Sequence, residues 1–186
     1  MKEIELSEEQ KVLYNLMENT RKNIFITGKA GTGKSYLLKY FKDHTKKDVL
    51  YTAPTGIAAI NIGAVTIHSA FGFDNLKDGT TYFKLSQDRI DILRNLEVLI
   101  IYEISMVRVD VLEQINKILQ YYNFTNKPFG GKQVIVFGDI FQLPPVVKSR
   151  EEQTCFFDKY GDVYFFNSNA YYNGNFEIKE LRKIYN

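Results

Sequence analysis

The residues Gly28-Lys29-Ala30-Gly31-Thr32-Gly33-Lys34-Ser35 follow the pattern G-x-x-x-x-G-K-[ST], between a short apolar run and a segment of helical character. Each residue type there has a use if a polyphosphate binds. Glycines let the backbone curl until its N–H groups point inward at phosphate oxygens. The helix that follows turns its positive dipole end toward the same anion. Lys34 brings a point charge to the β- and γ-phosphates, and Ser35 a hydroxyl to Mg²⁺. A plain glycine turn at a helix start is the alternative, and the strand-before, helix-after context argues against it.

Further candidates follow other apolar runs. The run 96–102 ends in Tyr102-Glu103-Ile104-Ser105. Next to a phosphate loop an acidic pair is expected at such a point, the first carboxylate holding the Mg²⁺ shell and the second activating water. Here the first position is Tyr102, whose phenol has a reference pKa near ~10, is neutral at neutral pH and makes a poor Mg²⁺ ligand. Glu103 can polarise water or help hold the metal, hardly both; otherwise it is an ordinary strand-end carboxylate. Gly138-Asp139-Ile140-Phe141-Gln142-Leu143-Pro144-Pro145-Val146 follows the run 133–138. Asp139 and Gln142 at a strand's carboxyl end can sense the γ-phosphate and the attacking water, while the two prolines stiffen the exit. Standing alone, the segment would be a turn with two polar residues.

The elements that must position these groups are legible as alternating apolar runs and helical patterns, the mark of an α/β sheet protein. Ser7-Glu8-Glu9-Gln10 reads as a capping box, continued by Val12, Leu13, Leu16 and Met17 at helical spacing. Strands are predicted at 23–27, 49–53, 96–102, 133–138 and 163–166, and helices at about 33–44, 56–62 and 109–122. The strand at 96–102 is expected beside that of the phosphate loop. The stretch from about 71 to 93, with Gly79, charges and scattered aromatics, is the candidate for a small insertion. The fold predicted is a mostly parallel sheet flanked by helices, with its ligand at the strands' carboxyl ends.

Composition bounds the rest. The chain has 186 residues, 45% hydrophobic and 25% charged, enough for one core and unlike a disordered chain. A formal charge of +2 neither demands nor excludes a polyanionic partner, so a nucleic-acid surface would be a local patch. One cysteine, Cys155, precludes an internal disulfide framework and fits a reducing, cytoplasmic setting. The acidic start lacks an apolar stretch, and no run of about 18 apolar residues follows, so neither a signal peptide nor a membrane span is expected. A motor that needs two nucleotide-clamping domains does not fit in this length. Of the 13 Tyr and 14 Phe, Phe71, Phe73, Tyr82 and Phe83 lie in or near the suspected insertion, where they either stack on bases or pack into the core.

Taken together, GKAGTGKS, YTAPTGIAAINIGAVTIHSAF, LIIYEISMV, VFGDIFQLPPV and FFNSNAYYNGNFEIKELRKIY resemble the 5′-to-3′ superfamily 1 DNA helicases of the petite-integration-frequency (Pif) and RecD-like group. The resemblance covers nearly the whole chain, in order. It implies a P-loop NTPase fold, the first RecA-like domain of a motor that hydrolyses ATP with Mg²⁺ while stepping along single-stranded DNA. A second RecA-like domain is expected downstream. Gln10 matches the glutamine that reads adenine, although it is also the N3 residue of the capping box. Thr52, Pro54, Thr55 and Gly56 match a loop that grips the DNA backbone, and Thr66, His68 and Ser69 the second half of that element. Thr, Ser and His with backbone N–H groups suit phosphate and sugar contacts; His68 by itself would as readily be a packed structural histidine.

The chain also departs from the pattern. The family's metal-binding aspartate is replaced by Tyr102. Where the family has a tyrosine-arginine-glutamine run whose arginine reaches the γ-phosphate, Tyr185 is followed by Asn186. Two readings follow: the ATP-binding domain of a DNA helicase, or a degenerate module that binds nucleotide and single-stranded DNA without turning over.

Overall fold

The computed structural model describes residues 5–73, 85–142 and 144–185. Their strands, β1 (Ile24–Thr27), β2 (Val49–Ala53), β3 (Val65–Thr66), β4 (Val98–Tyr102), β5 (Gln133–Gly138) and β6 (Glu177–Glu180), form one six-stranded sheet in the order β3-β2-β4-β5-β1-β6. Every pairing is parallel. The central strands β4 and β5 are buried along their whole length, as the unbroken apolar runs require when helices cover both faces.

On one face, Ile24, Ile26, Ile100, Ile135 and Phe137 pack with α1 (Glu8–Asn19), α2 (Lys34–His44) and α3 (Gly56–Ile62) through Leu13, Met17, Leu37, Phe41 and Ala59. On the other, Phe25, Leu99, Ile101, Val134 and Val136 meet α4 (Ile67–Phe71), α5 (Gln87–Asn95), α6 (Val109–Tyr122) and α8 (Asn169–Asn173). Period-2 alternation along each strand sends successive side chains to the two layers. The helix α7 (Arg150–Tyr160) adds a small satellite core of Val109, Phe156 and Val163.

Several expectations change. β4 does not lie beside β1; β5 sits between them, in register Ile24↔Ile135 on one side and Ile100↔Ile135 on the other. Both runs are apolar enough to be central, so composition cannot rank them as neighbours. Residues 163–166 do not form a sheet strand: Tyr164 makes an isolated bridge to Arg108, and Phe165–Asn167 is a 3-10 turn. The last strand is β6, at the edge, whose Glu-Ile-Lys-Glu sequence carries little apolar signal. Both ends of the suspected insertion belong to the core layer, since Phe71 is 1% exposed and Leu93 is buried on α5. Phe71 stacks on Phe73 inside this layer and presents no face to a base. Tyr82 and Phe83 lie outside the described residues. Among those described, no helix is long and apolar enough to cross a membrane.

Candidate nucleotide and nucleic-acid site

β1 hands the chain to the glycine loop at Thr27. Gly28 has φ 152°, and a Cβ there would fall 2.6 Å from the Leu181 carbonyl oxygen, so a side chain has no room. The loop is braced from within: the Thr32 hydroxyl donates to the Lys29 carbonyl at 2.8 Å. Lys34 Nζ folds back to donate to the carbonyls of Gly28 and of Lys29, the latter at 3.0 Å. Burial pulls the Lys34 pKa down, while Asp139 and Glu103 act in the opposite direction. Ala30 and Gly31 lie at the exposed crest. Gly33 sits at the N-cap of α2 in the left-handed region, φ 82°, and no side chain caps the helix there. The loop thus has the form of an anion cradle, with its first-turn N–H groups free of side-chain competition.

Gln10 is 1% exposed and is held at both ends of its amide. Its Oε1 accepts from Ser7 N–H at 3.0 Å and its Nε2 donates to the Gly33 carbonyl at 3.3 Å. The capping box is complete, and the same side chain is placed against the phosphate loop. The C-terminal segment also reaches this point: Tyr185 N–H donates to the Gly31 carbonyl at 2.9 Å, and its ring lies beside Gly33.

β4 delivers Tyr102 to the other side of the cradle. Its hydroxyl and that of Ser35 share a hydrogen bond, with oxygens 2.6 Å apart. Burial raises the phenol's pKa, only partly offset by the Ser35 bond, so the group stays neutral. Glu103 follows in the left-handed region, φ 57°, uncommon for a residue with a side chain and a frequent mark of a functional turn. Burial raises its carboxyl pKa; Lys34 acts against this and Asp139 with it. Asp139, 8% exposed at the end of β5, accepts from Phe141 N–H at 3.0 Å and from Gln142 Nε2 at 3.4 Å. Gln142 is exposed.

A Mg²⁺ site built on Ser35 and Glu103 fits these residues poorly. The Ser35 hydroxyl is bonded to a neutral phenol, and the β4 end has no first carboxylate, leaving Glu103 alone there. Among the described residues no cluster of three or more His, Cys, Asp or Glu is arranged to hold a metal.

The second group of candidates lies at the carboxyl ends of β2 and β3, paired Thr52↔Val65 and Ala53↔Thr66. Thr55 caps α3, its oxygen accepting from Ala58 N–H, and Thr66 caps α4 by accepting from Ser69 N–H. Both threonine O–H protons remain available as donors. Gly56, His68 and Ser69 are exposed and Pro54 half-buried; the His68 ring meets Phe73 edge-on at 5.6 Å. Thr52 is the correction: it is fully buried and its hydroxyl donates to the Ile100 carbonyl at 2.7 Å, tying β2 to β4. Its side chain is a sheet residue, because alternation turns it inward.

Pro54, Thr55 and His68 line a cleft of about 360 Å³ with Arg108, Val146 and Lys148, which sequence reasoning missed. Arg108 is held by Asp110 at 2.6 Å and Glu152 at 2.9 Å, and stacks over Phe156. The basic residues are scattered along the chain, and folding alone brings these two to the cleft.

Comparison with known proteins agrees with this layout. The family model described as PIF1-like helicase matches residues 5–164. The chain is 39% identical over 180 residues to the ATP-dependent DNA helicase PIF1 of Candida albicans, covering 92% of this chain and 20% of that protein. It is 40% identical over 167 residues to the ATP-dependent DNA helicase Pif1 of Psychrobacter, covering 86% and 24%. Pif1 helicase from Bacteroides, solved in complex with ADP-AlF3 and single-stranded DNA, superimposes with a TM-score of 0.88 at 44% identity, over 97% of this chain and 43% of that one. The chain therefore spans a quarter or less of these curated relatives and under half of the solved structure. With its glycine loop, its parallel sheet and a match over most of its length, the chain belongs to the PIF1-like helicase family.

Proposed function

We propose that this chain is the ATP-binding RecA-like domain of a DNA helicase that moves 5′-to-3′ along single-stranded DNA, working with a second RecA-like domain. One observation carries the reading. The phosphate loop after β1 and the Thr55–His68 cleft after β2 and β3 open on the same carboxyl edge of one parallel sheet. In such sheets ligands bind at that edge, and a rigid sheet lets a change at one ligand be felt at the other. Support also comes from the Bacteroides Pif1 complex, which holds a nucleotide-like ligand and single-stranded DNA.

In this reading Lys34, the loop N–H groups and the start of α2 hold the β- and γ-phosphates, and Gln10 and Tyr185 flank the base side. Gly28, Ala30, Gly31, Thr32 and Gly33 shape the cradle. Glu103 is the base that polarises water, and Gln142, steadied by Asp139, orients it. The DNA backbone runs over Thr55, Gly56, Thr66, His68 and Ser69, contacts that need donors and no base code. The exposed, unpaired Cys155 suits a reducing, cytoplasmic setting.

A second reading has one observation in its favour, the Ser35–Tyr102 pair. It makes the chain by itself a binder of ATP and single-stranded DNA with slow turnover and no unwinding. Measuring ATP turnover with and without a single-stranded oligonucleotide separates the two. Fast DNA-stimulated turnover by this chain would sink the slow-turnover reading. Failure to bind ATP or the oligonucleotide at all would sink both.

A further inference from the structure

The Ser35–Tyr102 contact has a counting consequence. Two hydroxyls carry two protons, and one is used in the bond between them, at 2.6 Å. The pair therefore has one O–H left to give, on whichever hydroxyl accepts, beside the exposed Ser35 in the first turn of α2. Tyr102 cannot easily withdraw: it is 9% exposed, fixed at the end of the central strand β4 and packed against Phe137. A divalent cation at this point would need the Ser35 oxygen and at least one carboxylate free to join it. Asp139 is drawn toward Phe141 N–H and Gln142 Nε2, and the end of β4 offers a single carboxylate, Glu103, beside a neutral phenol.

We infer that this phosphate loop holds a nucleoside triphosphate without a divalent cation, the Ser35–Tyr102 hydroxyl pair giving a hydrogen bond to a phosphate oxygen where a cation would otherwise bridge. The inference rests on the nucleotide-binding reading above and specifies its form. The phosphate charge is met by Lys34, the loop N–H groups and the positive end of α2.

Calorimetric titration of the chain with ATP, in EDTA and in excess Mg²⁺, tests it. Affinities in the two media are expected to agree within about threefold, well under the tenfold that one decade of Kd represents. Tyr102→Phe keeps the ring and its packing and removes the hydroxyl. It is expected to weaken binding about tenfold in both media, the scale of one hydrogen bond to a charged group. Tyr102→Asp is expected to make binding depend on Mg²⁺ by about tenfold or more. A parent affinity that drops tenfold in EDTA would overturn the inference while leaving nucleotide binding intact, as would a Tyr102→Phe variant that matches the parent. No binding in either medium would overturn the nucleotide reading, and this inference with it.

Discussion

Gln10 and Gly33 are joined across the first helix and the phosphate loop: Gln10 Nε2 donates to the Gly33 carbonyl at 3.3 Å while Oε1 closes the capping box on Ser7. One buried amide therefore caps the start of α1 and positions the residue on which α2 begins. Gly33 has no alternative that fits, because a Cβ there would lie 2.6 Å from Gln10 Nε2 at a φ of 82°.

Gln10→Ala removes both bonds: the Ser7 N–H loses its capping acceptor, and the Gly33 carbonyl is left with the Leu37 N–H alone. Stability is expected to fall by about 1–3 kcal/mol, read from urea unfolding, since a cap and a buried hydrogen bond are lost together. ATP affinity should fall as well, because the loop loses its brace. Unchanged stability would show that Gln10 is not held as described.

Lys34→Met keeps a long side chain over the loop and deletes the ammonium. Nucleotide affinity is expected to drop by about tenfold or more, as a charge-assisted contact to phosphate is lost. The circular dichroism spectrum should not change. An affinity within about twofold of the parent would place the phosphates elsewhere.

Two threonine and histidine positions should behave in opposite ways. Thr52→Val removes the buried hydroxyl bond to the Ile100 carbonyl and is expected to cost about 0.5–1.5 kcal/mol of stability, with no loss of single-stranded DNA affinity in the folded protein. His68→Ala, at an exposed position, should leave stability within about 0.5 kcal/mol and weaken oligonucleotide binding. Fluorescence anisotropy at several salt concentrations, beside thermal melts, reads both. The reversed pattern would remove the cleft from the DNA path.

Glu103 sets a pH dependence. Its carboxyl pKa is raised above the ordinary 4.5 chiefly by burial, so the folded state holds that proton more tightly than the unfolded chain. Its favourable contribution is whole below that ordinary value and is lost as pH rises through the folded pKa. Glu103→Gln mimics the protonated form. The variant is expected to be more stable than the parent at neutral pH, with the two converging as pH falls below 4.5. A variant less stable than the parent at neutral pH would mean that Lys34 outweighs burial.

The phosphate loop, its flanking strand and helix, and α6 were legible because local pattern alone specifies them: glycines where φ must be positive, and apolar residues every third or fourth position along 109–122. Strand order was not, since β4 and β5 are equally apolar and only long-range packing decides which lies next to β1. β6 was missed for the opposite reason: an edge strand buries little, so its sequence can stay charged.

Residue types and spacing were thus enough to single out Lys34, Glu103, Asp139 and Gln142 as candidates, and Tyr102 as a departure. Tertiary structure decided what those residues face. It turned Thr52 inward onto Ile100, carried Arg108 and Lys148 to the cleft beside His68, and closed Tyr102 onto Ser35. Periodicity is a property of neighbouring residues, whereas a contact between hydroxyls 67 positions apart exists only once the sheet brings β4 and the start of α2 together.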